Sequence, residues 1–352
     1  MKIGILGFAH GHVMVFGDVW KNNPDMGAEL FAAWDHDSER LKTCAEKLNI
    51  SKLYASPDEL LEQYEIEAVV ITSETKFHAE LVVKAAEKKK KIILYKPMSL
   101  TLKQADEIVE AVNKNSVDFT MGWQMRTDPQ NIKIRELMQS GELGKLFMLR
   151  RRHCLETHKW PDFNKLWHVD PEMNRDIWAD DSAHVIDFIY WMLGKPETVT
   201  AEISSIHDPL VPNDNGIAIF KYNDGVIAEA FCSFTCHAAE STTELYFENG
   251  TILQYYGDGP STAHPRPTGQ PGLKWKIHGT PDWIESEIPS PASHGERLAW
   301  QAKEFADFLH GKRPPIATAE EGRESLKMVL ATYLSNETGH RVSPDDERLY
   351  DI

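Results

Sequence analysis

Apolar residues in the first third of the chain come in short unbroken runs, separated by stretches with helical spacing. Lys2 to Leu6 is a short apolar strand running into a glycine turn, and Glu29 to Trp34 and Ala68 to Thr72 are further strand-length runs. Ile92 to Tyr95 and Asp118 to Gly122 complete the set. Between them His12 to Asn22, Ser38 to Leu48, Phe77 to Lys89 and Leu102 to Asn113 read as helices. Asn23-Pro24 ends the first, and Ser38 caps the second. Regular alternation of strand and helix favours a parallel sheet covered by helices. The lysine run Lys88 to Lys91 falls where the Phe77 helix ends, where cations oppose the negative end of the helix dipole, and reads as a solvated terminus.

After Trp123 the pattern changes. Asn223-Asp224-Gly225 and Glu248-Asn249-Gly250 are hairpin signals flanked by β-rich runs such as Ile217 to Tyr222 and Thr251 to Tyr256. Leu146 to His153, Glu197 to Ile203 and Val226 to Thr235 are strand-like as well. Gly257 to Gly272, rich in Gly and Pro, reads as a long loop, and Arg297 to His310 and Ala319 to Ser335 as closing helices. The expected fold is α/β: a doubly wound parallel sheet of Rossmann type over residues 1–123. An α+β domain with a large, mainly antiparallel sheet follows over 124–352.

Charge and composition narrow the function. A net charge of −16 repels phosphate backbones and anionic lipid, so nucleic acid and membranes are poor partners. No apolar run approaches the length of a bilayer span. Four cysteines in 352 residues make no disulfide scaffold, and the chain reads as reduced, soluble and cytoplasmic. Cys232 and Cys236, with His237 beside them, lack a second ligand pair at zinc spacing; they read as small buried hydrophobes, and no metal is expected.

The turn Gly7-Phe8-Ala9-His10-Gly11-His12, between a strand and a helix, is a dinucleotide turn in outline. Gly7 permits a tight turn, and small Ala9 lets backbone amides approach a pyrophosphate at the helix N-terminus. The match to Gly-x-Gly-x-x-Gly is imperfect, with Ala9 at the second glycine and His12 at the third. Asp35, ending the second strand, strengthens it. A carboxylate there accepts both ribose hydroxyls and repels a 2′-phosphate, which favours NAD over NADP.

Lys96 ends a parallel strand, where open α/β sheets place ligands, and Pro97 holds it extended. A cation there can hydrogen-bond a substrate oxygen and stabilise alkoxide charge. Asp180 and His184 are four apart on an expected helix and share a face, with Asp187 a turn further on. Hydride leaves a carbinol carbon only as its hydroxyl proton is removed. Histidine titrates near neutrality and suits that task, with a carboxylate to orient it. Asp187 is equally well explained by a structural hydrogen bond inside the helix.

Six segments, in order, resemble the Gfo/Idh/MocA oxidoreductases, the relatives of glucose-fructose oxidoreductase and inositol dehydrogenase. They are Ile71 to His78, Leu94-Tyr95-Lys96-Pro97, Gly122 to Pro129, Asp180 to Asp187, Gly194-Lys195-Pro196 and Ser335 to Gly339. The resemblance implies that Thr72, Ser73, His78 and Tyr95 line the cofactor together with Lys96. It also implies that Gln124 and Arg126 reach substrate, that the substrates are carbohydrate-like, and that dimers or tetramers form through the sheet. Tyr95 stands where the family has Glu, Gln124 replaces a common Asn, and Asn174-Arg175-Asp176 stands where a glycine run is usual.

Between the first strand of the second domain and the Asp180 helix lie His158, Trp160, Asp162, Lys165, Trp167, His168 and Trp178. Trp faces pack on the C–H face of sugars and polar groups bind hydroxyls, so Trp160, Trp167 and His168 join Lys96, Asp180 and His184 as candidate substrate residues. The expected activity is NAD-dependent oxidation of a secondary hydroxyl of a sugar, cyclitol or glycoside, with Lys96, His184 and Asp180 catalytic. Two alternatives stand beside it: an enzyme with tightly held NAD using transient oxidation for epimerisation or glycoside cleavage, and a non-catalytic sugar or dinucleotide sensor.

Overall fold

A computed structural model describes residues 1–236, 241–255, 271–291 and 293–352. The elements, in chain order, begin with β1 (Lys2–Leu6), α1 (His12–Asn22), β2 (Glu29–Trp34), α2 (Ser38–Lys47), β3 (Lys52–Leu53) and α3 (Pro57–Leu61). Then come β4 (Ala68–Ile71), α4 (His78–Glu87), β5 (Lys91–Tyr95), α5 (Leu102–Asn115), β6 (Phe119–Gly122), α6 (Pro129–Gln139), β7 (Leu146–Cys154) and α7 (Ala183–Leu193). The remainder is β8 (Thr198–Ser204), β9 (Asn215–Lys221), β10 (Ile227–Ser233), β11 (Thr242–Phe247), β12 (Gly250–Gln254), β13 (Leu273–Ile277), β14 (Ile284–Glu285), α8 (His294–Leu309) and α9 (Ala319–Thr338).

Two compact units emerge. The first comprises 1–124, 172–174 and 297–326, the second 125–171, 175–296 and 327–352. A single division at 123/124 therefore misassigns the last helical region. Most of α8 belongs with the first unit because the indole of Trp20 donates to the Ala302 carbonyl (2.8 Å) and Phe305 packs its ring against Phe16 and Trp20. Ala317 accepts from the Met121 amide, which extends that union past β6.

The first unit's sheet is wholly parallel in the order β3-β2-β1-β4-β5-β6. β4, Ala-Val-Val-Ile, is buried at every position, as a strand covered on both faces must be. The order reverses between β1 and β4, so their carboxyl ends form the switch-point crevice where such sheets bind ligands. Two local expectations are corrected, and two short elements had no sequence mark. Asp37, not Ser38, caps α2, accepting from the amides of Glu39 and Arg40 at 3.0 Å. β3 and α3 carry too few residues to show a period. Lys90 is no solvated terminus: it is buried, and its ammonium donates to the carbonyls of Gln63 (2.9 Å) and Ile66 (2.7 Å).

The second unit's sheet runs β14-β13-β12-β11-β7-β10-β9-β8 and is antiparallel except where β7 pairs with β10. Strand alternation along β7 turns Arg151 inward, buried 4.0 Å over the Phe188 ring of α7, while Arg150 faces outward between Glu229 and Glu244. Cys232 is buried, and burial pushes its thiol up to about 12. His237 and residues 257–270 of the expected loop lie outside the described residues. No helix among the described residues is long and apolar enough to cross a membrane.

Candidate active site

The glycine turn follows β1. Gly7 has φ +90°, and a Cβ there would lie 2.5 Å from the Ser73 Cα, so only glycine lets β1 and β4 approach this closely. The Thr72 hydroxyl donates to the Gly7 carbonyl (2.6 Å) and the His10 amide to the Thr72 carbonyl (2.9 Å), which locks the turn. Gly11 is different: a Cβ there would meet nothing within 4 Å. It begins α1 without any side-chain cap and with no acidic residue in the first turn. An uncapped helix N-terminus behind open space fits a dinucleotide pyrophosphate.

Asp35 is buried at the end of β2, with every acceptor position of its carboxylate taken. Oδ1 accepts from the Asp37 amide (2.8 Å) and Arg40 Nη2 (2.7 Å); Oδ2 accepts from the Phe8 amide (2.7 Å) and Arg40 Nε (2.8 Å). Arg40 also donates to Glu74 Oε1 (2.9 Å), and the His36 ring lies 3.6 Å from Asp35 and 3.5 Å from Glu74. Burial works against the charged guanidinium of Arg40, but the two carboxylates outweigh it and raise the group further above its ordinary value. Asp35 is therefore an ion-paired carboxylate in this structure. Of the groups around it, Glu74 is remote in sequence, whereas His36 and Arg40 lie one and five residues past Asp35.

Tyr95 and His78 are both buried and hydrogen-bonded within the first unit. Tyr95 is fully buried; its hydroxyl donates to Gln301 Oε1 (2.6 Å) and lies 3.0 Å from His12 Nδ1, with the His10 ring 4.6 Å away. His78 Nδ1 lies 2.8 Å from the Pro97 carbonyl and Nε2 3.1 Å from that of Ser73, bracing the ends of β4 and β5. Burial lowers its pKa to about 4. Lys96 itself is 2% exposed and precedes a cis bond to Pro97. Gln124, the last residue of the unit's first segment, is buried.

In the second unit a π-helical turn, Trp178–Ser182, precedes α7, a distortion often found at functional sites. It places Asp180 inside the turn and His184 in the first turn of α7. Asp180 Oδ2 lies 3.0 Å from His168 Nδ1, while His184 Nε2 lies 3.8 Å from Asp181 Oδ1. Asp180 and His184 are both buried, and His168 is sandwiched between the rings of Trp167 (4.0 Å) and Phe163 (6.4 Å). Trp160 is 39% exposed and Trp167 half-buried. Trp178 is core, its indole donating to Thr332.

Arg126 is half of a buried fork: its Nε and Nη2 donate to the two oxygens of Asp187 at 2.9 and 2.8 Å. That assigns Asp187 its structural reading. Asp176 likewise is an internal hub, accepting from Tyr333 (2.5 Å), Asn213 (2.7 Å) and the Ala179 amide (2.9 Å). Asn174 is tied to the Thr75 hydroxyl.

Residues 1–123 match the model of an oxidoreductase family with an NAD-binding Rossmann fold, and residues 131–253 match the GFO/IDH/MocA C-terminal domain. The chain is 29% identical to myo-inositol 2-dehydrogenase of Thermotoga maritima, over 98% of this chain and 99% of that one. It is 24% identical to scyllo-inositol 2-dehydrogenase (NAD+) of Bacillus subtilis, over 99% and 96%. The structure of levoglucosan dehydrogenase in complex with NADH and levoglucosan shares the fold, with TM-score 0.82 at 16% identity over 98% of this chain and all of that one.

Proposed function

Because this chain belongs to the GFO/IDH/MocA family of NAD-binding oxidoreductases, we propose that it oxidises a secondary hydroxyl of a sugar, cyclitol or glycoside to the ketone. NAD, when bound, supplies the hydride acceptor, so alcohol and NAD+ give ketone, NADH and a proton. The observation that carries this reading is Lys96, a cation buried to 2% at the carboxyl end of β5 in a doubly wound sheet. Its ammonium donates to the reacting oxygen and lowers the cost of alkoxide character as the C–H bond breaks. Gly7 to His12 present the α1 N-terminus to the pyrophosphate, and Asp35 takes the adenosine ribose once Arg40 withdraws toward Glu74. The inositol dehydrogenase relatives and the levoglucosan-bound neighbour support a polyhydroxylated substrate.

His184 takes the hydroxyl proton in this scheme, with Asp180, Trp167 and His168 holding neighbouring hydroxyls. One observation favours a second assignment of the base. His168, hydrogen-bonded to Asp180 at 3.0 Å, forms the carboxylate-oriented imidazole that proton abstraction requires. NADH formation across a panel of sugars and cyclitols tests the activity, and His184→Asn against His168→Asn assigns the base. Removing the base lowers kcat by about 100-fold or more. Undiminished turnover in Lys96→Ala would overturn the scheme. Product formed without net NADH would move the chain to the transient-oxidation class.

The reading includes a homodimer or homotetramer formed through the open face of the eight-stranded sheet, where Ile219, Phe231 and Tyr246 are 43%, 36% and 36% exposed around the Arg150–Glu229 pair. Light scattering tests it, and a monomer at micromolar concentration removes it.

A further inference from the structure

At the end of the second unit's sheet, the segments after β7 and before β9 enclose a cavity of about 160 Å3 that no candidate catalytic residue lines. Trp160 lines it, perpendicular to Phe163 with ring centroids 5.5 Å apart, and is 39% exposed, which leaves indole surface for an apolar sugar face. The lining also holds His158 and His207, ring to ring at 5.1 Å, and Asn164, which donates to Asp208 at 3.0 Å. The segment carrying His207 is held by Asp214, whose carboxylate accepts from the amides of Ile206 (3.0 Å) and His207 (2.9 Å). This is a preformed set of donors and acceptors beside an aromatic platform.

The lining chemistry limits what enters. Among the described residues that line it there is no Lys or Arg, and Asp162, Asp208 and Asp214 contribute carboxylates, so anions are disfavoured. Burial, with Lys159 and His207 nearby, lowers the His158 pKa and so favours the neutral ring, which offers one donor and one acceptor, as hydroxyls require. The described residues contain no group of three metal-ligating side chains. The cavity also adjoins the candidate chemistry: its Phe163 wall stacks on His168, which bonds Asp180.

We propose that this cavity is a second-ring subsite, occupied by the non-reacting pyranose of a disaccharide or glycoside whose neighbouring ring is oxidised beside Asp180. The inference rests on the sugar-oxidising reading above and narrows its substrate class to molecules of two rings. Asn164 and Asp208 bind ring hydroxyls and Trp160 stacks on the C–H face.

The test is NADH formation by the wild type, His207→Ala and Asn164→Ala with glucose, myo-inositol, maltose and cellobiose. Saturation-transfer NMR of the two disaccharides accompanies it on the same proteins. The subsite is supported if a disaccharide is the better wild-type substrate and either variant lowers the disaccharide-to-monosaccharide ratio of kcat/KM by about 10- to 100-fold. A ratio unmoved in both variants, with single-ring substrates turned over, overturns the subsite and leaves the sugar-oxidising reading standing. Absence of turnover with any sugar overturns that reading instead, and the NMR then decides the subsite. Saturation of the second ring that is lost in His207→Ala supports it, and no saturation of either disaccharide overturns it.

Discussion

Replacing Asp35 by asparagine is expected to shift the choice between NADH and NADPH by on the order of 100-fold toward NADPH. In the wild type two carboxylates, Asp35 and Glu74, surround one guanidinium, Arg40, which leaves one net negative charge where the ribose 2′-position would lie. Asp35→Asn removes that charge and one of the two hydrogen bonds by which position 35 restrains Arg40. Unit charges about 4 Å apart interact by about 1 kcal/mol in water and about 4 kcal/mol at an effective dielectric of 20. The Arg40 side chain is 23% exposed, so the site lies between these limits, and relief for a phosphate amounts to roughly 1–2 kcal/mol. Loss of charge-assisted bonds to the ribose weakens NADH by about 1.5 kcal/mol or more. Together they give roughly two decades in the ratio of dissociation constants. Fluorescence titration of both nucleotides at fixed ionic strength reads that ratio, and the NADPH gain should shrink as salt screens the field. Arg40→Ala provides the opposite sign: it leaves both carboxylates unopposed and widens the preference for NADH. If both substitutions leave the ratio where it was, or move it the same way, the electrostatic account fails.

Three further outcomes follow from the interior. Asp187→Ala strands the Arg126 guanidinium in a buried site and should cost about 3–5 kcal/mol, seen as a lowered thermal midpoint; an unchanged midpoint would show the fork to be dispensable. Tyr95→Phe removes the donor to Gln301 Oε1 and should cost about 1–3 kcal/mol by the same measurement. The third is a pH effect. His78 has its folded pKa depressed to about 4 from 6.5, so the unfolded chain binds the extra proton between those values, and stability falls as pH drops through that window. His78→Gln should therefore lose less stability than wild type between pH 7 and pH 5, whereas parallel losses would refute the assignment.

Much of the fold was legible because its signals are local. β1, α1 and β2 run over the residues whose periodicity and punctuation mark them, and Gly7 is where a tight turn must be. The Asn223-Asp224-Gly225 and Glu248-Asn249-Gly250 turns join β9 to β10 and β11 to β12 as hairpin chemistry requires. The parallel pairing of β7 with β10 had no such mark, because partners 79 residues apart leave no trace in either strand's own pattern.

The candidate site divides along the same line. Residue type and position along a strand or helix singled out Gly7, Asp35, Lys96, Asp180 and His184, since each is defined by its place at an element's end or on its face. What each side chain touches depended on contacts outside its own element. Asp35 is met by Arg40, itself held by Glu74; Arg126 is met by Asp187; Tyr95 is met by Gln301; and Asp180 is met by His168 across a π-turn that no helical repeat announces. A buried charge or hydroxyl must find a partner when it leaves water, and the tertiary fold alone decides which one is within reach. The sequence by itself thus determined the dinucleotide-binding architecture and the residue types on offer. Packing decided which of them stay available for chemistry and which are consumed in holding the site together.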